Sequence, residues 1–229
     1  MFFWDPTYII VLPAILLALY AQLRVKSTYA KYSQVPVSSG LTGAAAAAEI
    51  LRSHGLSGVQ IEQIDGTLSD NYDPRTRVLR LSPDVYNGAS VASVGVAAHE
   101  SGHALQHAEN YGPLALRSAI VPVTQFGSWL AWPIFLMGFF FHSGTLMQLG
   151  VLIFSAFVAF TLITLPVEFD ASRRALRVLA SGHLVADDEL RGVRSVLGAA
   201  ALTYVAAAAT AILELVRLLV LMNVSRREE

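Results

Sequence analysis

Polar and apolar positions separate into long blocks along this chain. Three runs contain no Asp, Glu, Lys or Arg: Pro6 to Leu23, Ser118 to Val167 and Ser195 to Leu213. Crossing a bilayer takes about 20 apolar residues, and 18 or more without charge already make a candidate span. The middle run is fifty residues long. As one helix it would extend about 75 Å, against a hydrocarbon core of about 30 Å. It is therefore expected to fold back as two spans, 118–141 and 145–167, turning at the polar triplet His142-Ser143-Gly144. A hairpin returns the chain to the side it left, so the segments before Ser118 and after Val167 face one compartment. With a first span over 6–24 and a last run over 195–222, the pattern predicts an α-helical membrane protein of about four transmembrane helices. Two readings of the last run stay open. It is either a fourth span with Glu214 and Arg217 paired near the far interface, or a helix lying partly in the interface that keeps Arg226 and Arg227 inside.

Segment 25–117 has a different texture, with charges and turn residues throughout. Gly43 to Ser53 reads as an alanine-rich helix stopped by His54-Gly55. Val59 to Ile64 and Arg77 to Ser82 alternate as short strands around the turn Asp73-Pro74-Arg75-Thr76, so a small hairpin or meander is expected. From about 90 to 109 the sequence reads as one helix, apolar first and polar afterwards. Together these elements predict a small α+β subdomain attached to the spans, within a single domain covering 1–229.

Composition narrows the function classes. Only 14% of residues are charged and 54% are hydrophobic, which excludes a disordered chain. A net charge of -1 offers no basic field for nucleic acid, so no nucleic-acid partner is expected. With no cysteine, any metal must be held by His, Asp and Glu. Thirteen of the sixteen basic residues lie in 24–117 and 173–194, the two segments that share a side. The positive-inside rule makes that side cytoplasmic and puts the N-terminus outside. The segment Met1-Phe2-Phe3-Trp4-Asp5 has no basic residue and no cleavage site follows it, so the first run reads as a retained span rather than a signal peptide.

The chemistry lies in the 90–109 helix, where His99-Glu100-Ser101-Gly102-His103 forms an H-E-x-x-H motif. Histidines at i and i+4 project from one face, at a spacing that lets both imidazoles reach one zinc ion. Glu100 is offset to meet a water on that ion and act as general base. A catalytic zinc needs a third protein ligand. His107 lies one turn further, but three histidines at i, i+4 and i+8 cannot converge from a straight helix. Gln106 and Glu109 stand where a metzincin needs Gly and His, which excludes that class. Glu168 is the first charge after the fifty-residue run and is returned by the hairpin to the side of His99. Ligation would explain a carboxylate at the membrane edge, and an interfacial acid paired with Arg173 or Arg174 would explain it as well. Asp170 is a further candidate, on the opposite helix face when Glu168 points inward. Arg173, Arg174 and His183 are candidate oxyanion donors, and His54 reads as structural.

Several stretches together resemble a known family: Asp70-Asn71-Tyr72-Asp73-Pro74-Arg75-Thr76, Leu79-Arg80-Leu81-Ser82, Val85-Tyr86-Asn87-Gly88, Val96-Ala97-Ala98-His99-Glu100 and Val167-Glu168-Phe169-Asp170-Ala171-Ser172. They are similar to the YugP-type neutral zinc metallopeptidases of bacterial membranes, and the resemblance covers essentially the whole chain. It implies a membrane gluzincin holding one zinc ion on His99, His103 and Glu168, with Glu100 as base. It also implies protein or peptide substrates, a lipid bilayer around the spans, and a place in the bacterial cell membrane. The layout is similar to the HtpX and CAAX-processing proteases as well, but Ser172 stands where they carry an Asp. Ser172 and Asp170 are then the candidates for orienting a ligand histidine. The strand Arg77–Ser82 resembles the family's strand ahead of the active helix and offers a place for a peptide to add as a strand.

The expected function is a zinc endopeptidase working at the cytoplasmic membrane face. A zinc-binding scaffold without turnover would not need Glu100. A site-2-type intramembrane protease would bury its H-E-x-x-H inside a span, whereas charged segments flank it here.

Overall fold

The computed structural model describes residues 6–225. Met1 to Asp5, Arg226 and Arg227, on which the signal-peptide and C-terminal readings drew, lie outside the described residues. Among the described residues seven helices and three strands follow in order: α1 Tyr8–Tyr32, α2 Gly43–Ser53, β1 Gln60–Gln63, β2 Asn71–Asp73, β3 Val78–Leu81, α3 Pro83–Asn87, α4 Val91–Ala108, α5 Gly112–Phe140, α6 Gly144–Ser181 and α7 Asp187–Ser225. α1, α6 and α7 are long and apolar enough to cross a membrane, while α5 carries the apolar stretches Gly112–Val121 and Trp129–Phe140. Phe141 and His142 form the turn between α5 and α6, with His142 at φ 50°, and Ser143 leads into α6. The helices outrun the apolar runs that predicted them. α6 continues fourteen residues past Val167 without a break, because Ala171, Ala175 and Leu179 keep an apolar stripe going among the charges.

The described chain divides into two units, one of residues 6–21, 116–165 and 203–225 and the other of residues 22–115 and 166–202. The first is helical and packs Phe135 and Ala131 of α5, Met147, Phe154 and Val158 of α6, and Ala211 and Leu218 of α7. Its one deeply buried cation, among the described residues, is Arg217 on α7. Arg217 donates to Glu214 at 2.8 Å and to the Thr7 hydroxyl at 3.0 Å, and lies 3.7 Å from the centre of the Tyr8 ring. The Glu214–Arg217 pair anticipated from its i, i+3 spacing is therefore formed.

The second unit is built around α4, which is buried along most of its length. Ser90 caps its first turn, accepting from the Ser93 amide at 3.1 Å. On one side Val91, Val94, Ala98 and Leu105 pack with Ile50, Leu179, Val193 and Leu197. On the other, Ala97 and Ala104 pack with Ala47, Leu51, Leu79, Leu81 and Val85. A helix covered on two sides has little freedom to shift, which suits it to hold a site.

The sheet corrects two expectations. Its order is β1-β3-β2, with β2 antiparallel to β3 and β1 parallel to it. It is thus a hairpin with a parallel strand added, and not a meander. β3 takes the centre because Val78, Leu79 and Leu81 are its buried residues, whereas no residue of β1 is buried. Both edges of β3 are consequently paired, so the strand at 77–82 has no free edge to receive a peptide. The motif around Asp70 proves to be hairpin chemistry. Asp70 accepts from the Ser82 amide at 2.8 Å, and Asp73 accepts from the Arg75 amide and the Thr76 hydroxyl at 2.9 Å each. These bonds, the Arg75 amide foremost, hold the Asp73 carboxyl below its ordinary pKa.

Candidate metal centre

His99 and His103 lie on α4 and Glu168 on the segment of α6 that packs in the same unit. One donor atom from each falls within 4.8 Å of the others. His99 Nε2 stands 3.2 Å and His103 Nε2 3.7 Å from Glu168 Oε2. The two rings meet edge to face, with centres 4.9 Å apart. Two donors each about 2.0–2.1 Å from one tetrahedral zinc stand about 3.3–3.4 Å apart, so the triad's spacing fits one ion. The donor chemistry fits too, being two imidazoles and a carboxylate.

What lets α4 and α6 come this close is Gly102. A Cβ there would lie 2.6 Å from the carbonyl oxygen of Ala171, so only glycine leaves room for the crossing. The residue that weakens α4 by about 1 kcal/mol relative to alanine therefore brings Glu168 to the two histidines.

The outward nitrogens of both rings are engaged. His99 Nδ1 is 3.1 Å from the Ser172 hydroxyl, and His103 Nδ1 is 3.0 Å from Gln106 Oε1. Ser172 is thus in place to orient His99. Asp170 does not join the triad; it accepts from Gln106 at 2.9 Å and from Arg174 at 2.6 Å. Arg174 also donates to Glu109 at 2.6 Å, which ties it to carboxylates rather than to the metal group. The exposed Arg173 lies 3.7 Å from Asp170. His183, with φ 51°, sits in the turn after α6. His107 bonds through Nδ1 to the Tyr72 hydroxyl at 2.8 Å and stays out of the triad. His54 caps α2, with Nδ1 2.9 Å from the Ile50 carbonyl. Gln106 was named in the sequence only for ruling out a metzincin. The structure gives it three hydrogen-bonding partners beside the triad, His103, Val167 and Asp170.

Burial shapes the electrostatics. Glu100 is only 8% exposed, and desolvation raises its pKa, with the nearby Glu168 and Asp70 charges adding to the rise and the histidines opposing it. Desolvation alone would lower the pKa of His103, but its bond to Glu168 and the Glu100 charge outweigh it and the net shift is upward. Glu168 moves the other way: desolvation would raise it, yet its bonds to His103 and His99 hold it far below the usual carboxylate range. Glu168 is thus held by both imidazoles, His99 at 3.2 Å and His103 at 3.7 Å.

Two clefts in the same unit have no triad residue in their lining. One of about 880 Å³ is lined by Tyr29, Asp84, Asn87 and Ser90 among others, and one of about 360 Å³ by Tyr72, Ala104 and His107 among others.

Comparison with known proteins agrees with this geometry. Residues 7–223 match the family described as "Putative neutral zinc metallopeptidase". A protein of Bacillus subtilis (strain 168) named "Putative membrane protease YugP" is 50% identical over 212 residues, which is 93% of this chain and 94% of that protein. No solved structure matches the chain significantly. With the family match running nearly end to end, and half of the residues aligned with the Bacillus protein identical, this chain belongs to the family described as "Putative neutral zinc metallopeptidase".

Proposed function

We propose that the protein is a multi-pass membrane endopeptidase of the gluzincin type, cutting protein or peptide substrates at the cytoplasmic face of the bacterial inner membrane. One observation carries this reading: a buried His99–His103–Glu168 donor set with the buried Glu100 beside it. His99, His103 and Glu168 would hold one zinc ion. A zinc ion held there would supply a Lewis acid for the scissile carbonyl and for a water, whose pKa falls towards about 7 on such an ion. The Glu100 carboxylate would accept the proton of the attacking water and pass it to the leaving amine. Its desolvated position suits the task, since a carboxylate with a raised pKa holds a transferred proton more readily. Ser172 supports the His99 ring, and the packing of α4 keeps bulk water from the base.

The four-span topology, with the N-terminus outside and 25–117 and 168–194 on the cytoplasmic side, belongs to the same proposal. It rests on the hairpin turn at 141–142 and the distribution of basic residues. The test is to purify the full chain in detergent, measure bound zinc, and follow cleavage of a loosely folded protein by wild type and Glu100→Gln. Wild-type cleavage with equal zinc and no cleavage in the variant is the expected result. Equal cleavage by both would remove the assignment, and zinc without cleavage in either would make the protein a zinc-bearing scaffold.

A further inference from the structure

Gln106 sits one turn after the H-E-x-x-H motif's second half and is fully buried. Its amide nitrogen is 2.8 Å from the Val167 carbonyl oxygen and 2.9 Å from Asp170 Oδ2. Its oxygen is 3.0 Å from His103 Nδ1.

The chemistry of the partners fixes the orientation of this amide. A backbone carbonyl has no proton to donate. The Asp170 oxygen likewise acts as an acceptor, since it already takes the Nε–H of Arg174 at 2.6 Å. Both therefore demand the amide's two N–H groups. That leaves Oε1 for His103, and an amide oxygen can only accept. His103 must then carry a proton on Nδ1, and its metal-facing atom is Nε2, the one 3.7 Å from Glu168 Oε2. At His99 the partner is the Ser172 hydroxyl, which can donate or accept, so no such constraint acts there. The two ligand histidines are supported by unlike means.

We propose that Gln106 is the positioning residue of the metal site: its side-chain oxygen accepts the Nδ1–H of His103 and fixes that ring with Nε2 turned to the ion. The amide nitrogen meanwhile reads the position of α6, because Val167 and Asp170 flank the ligand Glu168. Gln106 thereby makes the orientation of one ligand depend on the docking of the helix that carries another. The hydrogen-bonded path continues from Asp170 through Arg174 to Glu109 at the end of α4, closing a ring between the two helices. This inference rests on the zinc reading given above, and outer partners of this kind are worth about 10–100-fold in metal affinity.

The test uses the full chain in detergent, with zinc affinity measured by chelator competition for wild type, Gln106→Met and Gln106→Glu. Methionine keeps the volume and removes the acceptor; glutamate keeps the acceptor but faces Val167 O and Asp170 with a carboxylate. Methionine lacks both the acceptor for His103 and the donors to α6, so the proposal requires Q106M to lose about 10–100-fold in affinity and Q106E, which keeps the acceptor alone, to lose less. A residue that merely packs the helices requires the reverse order, since the glutamate is the more disruptive replacement. Q106E binding no more tightly than Q106M, or Q106M binding as tightly as wild type, overturns the inference and leaves the zinc site standing. Wild type without zinc overturns both. A second readout is the imidazole proton spectrum of the zinc-loaded wild-type protein labelled with ¹⁵N-histidine. A slowly exchanging Nδ1–H of His103 is expected, and its absence contradicts the proposal even if neither variant folds.

Discussion

Replacing Gly102 by alanine sets two effects against each other, and their sizes follow from the structure. Alanine favours the helix by about 1 kcal/mol over glycine. Its Cβ, however, would stand 2.6 Å from the Ala171 carbonyl oxygen and 3.2 Å from the Ala171 Cα. Carbon–oxygen contacts are comfortable from about 3.3 Å, so α4 and α6 must part locally by about 0.7 Å. Overpacking of that kind costs about 1–3 kcal/mol, leaving a net destabilisation of about 0–2 kcal/mol. The metal site is less forgiving, because ligand distances hold to about 0.2 Å. His103 adjoins Gly102 and Glu168 lies three residues before Ala171, so the displacement falls on the triad itself. We expect zinc affinity in Gly102→Ala to drop by at least about 10-fold, comparable to losing an outer partner, with peptidase activity falling in step. The melting temperature of the metal-free protein should fall by no more than that net cost of about 0–2 kcal/mol implies, at about 2–4 °C per kcal/mol. Chelator competition and melting curves in detergent measure the two quantities separately. A variant that is more stable by about 1 kcal/mol and binds zinc like wild type would refute the claim that glycine is there for the crossing.

Other expectations are simpler. Glu168→Ala removes one of three donors and should lose zinc more completely than any outer-partner variant; full zinc in that variant would reassign the third ligand. Zinc affinity should tighten from pH 6 to pH 8, because the raised pKa of His103 makes a proton compete with the metal; an affinity flat across that range would contradict the shift. The metal-free protein should show the opposite tendency. The His103 contribution to stability is complete below its ordinary 6.5 and is lost as pH rises through the raised folded value, whereas the Glu168 contribution is present above its ordinary 4.5 and is lost only in strong acid. Melting of the chelated protein should therefore be higher at pH 5.5 than at pH 8. Ser90→Ala deletes the cap that begins α4 and should cost about 1 kcal/mol, read by thermal unfolding, with zinc-loaded activity at low temperature unchanged.

The long features of this fold were legible because their signals are local. Charge-free runs mark the apolar helices, and the four-residue spacing of His99 and His103 marks the metal face of α4. The turn before α6 was legible for the same reason, as a polar break inside an apolar block. Pairing partners were not. Nothing within β1 indicates that it lies parallel to β3, and the three residues Asn71–Asp73 are too few to show alternation. The middle apolar run ends at Val167, yet α6 continues to Ser181. Backbone continuity depends on the apolar stripe of Ala171, Ala175 and Leu179 rather than on the first charge. Gln106 was hidden most thoroughly. A glutamine in the polar half of a helix reads as a solvated side chain, and only the approach of α6 reveals a buried amide with three partners. Gly102 shows the converse. Its cost to the helix was visible in the sequence, but its purpose required Ala171 from a helix about seventy positions away.

The central claim is that His99, His103 and Glu168 together hold one zinc ion with a place left for water. X-ray absorption at the zinc edge of the purified full chain tests it most directly. One zinc per chain is expected, with two imidazole nitrogens at about 2.0–2.1 Å and oxygen donors at about 2.0–2.2 Å completing a four-coordinate shell. Loss of the bound zinc in Glu168→Ala would identify the carboxylate as a donor. A protein that retains no zinc, or an unaltered shell in that variant, would contradict the account.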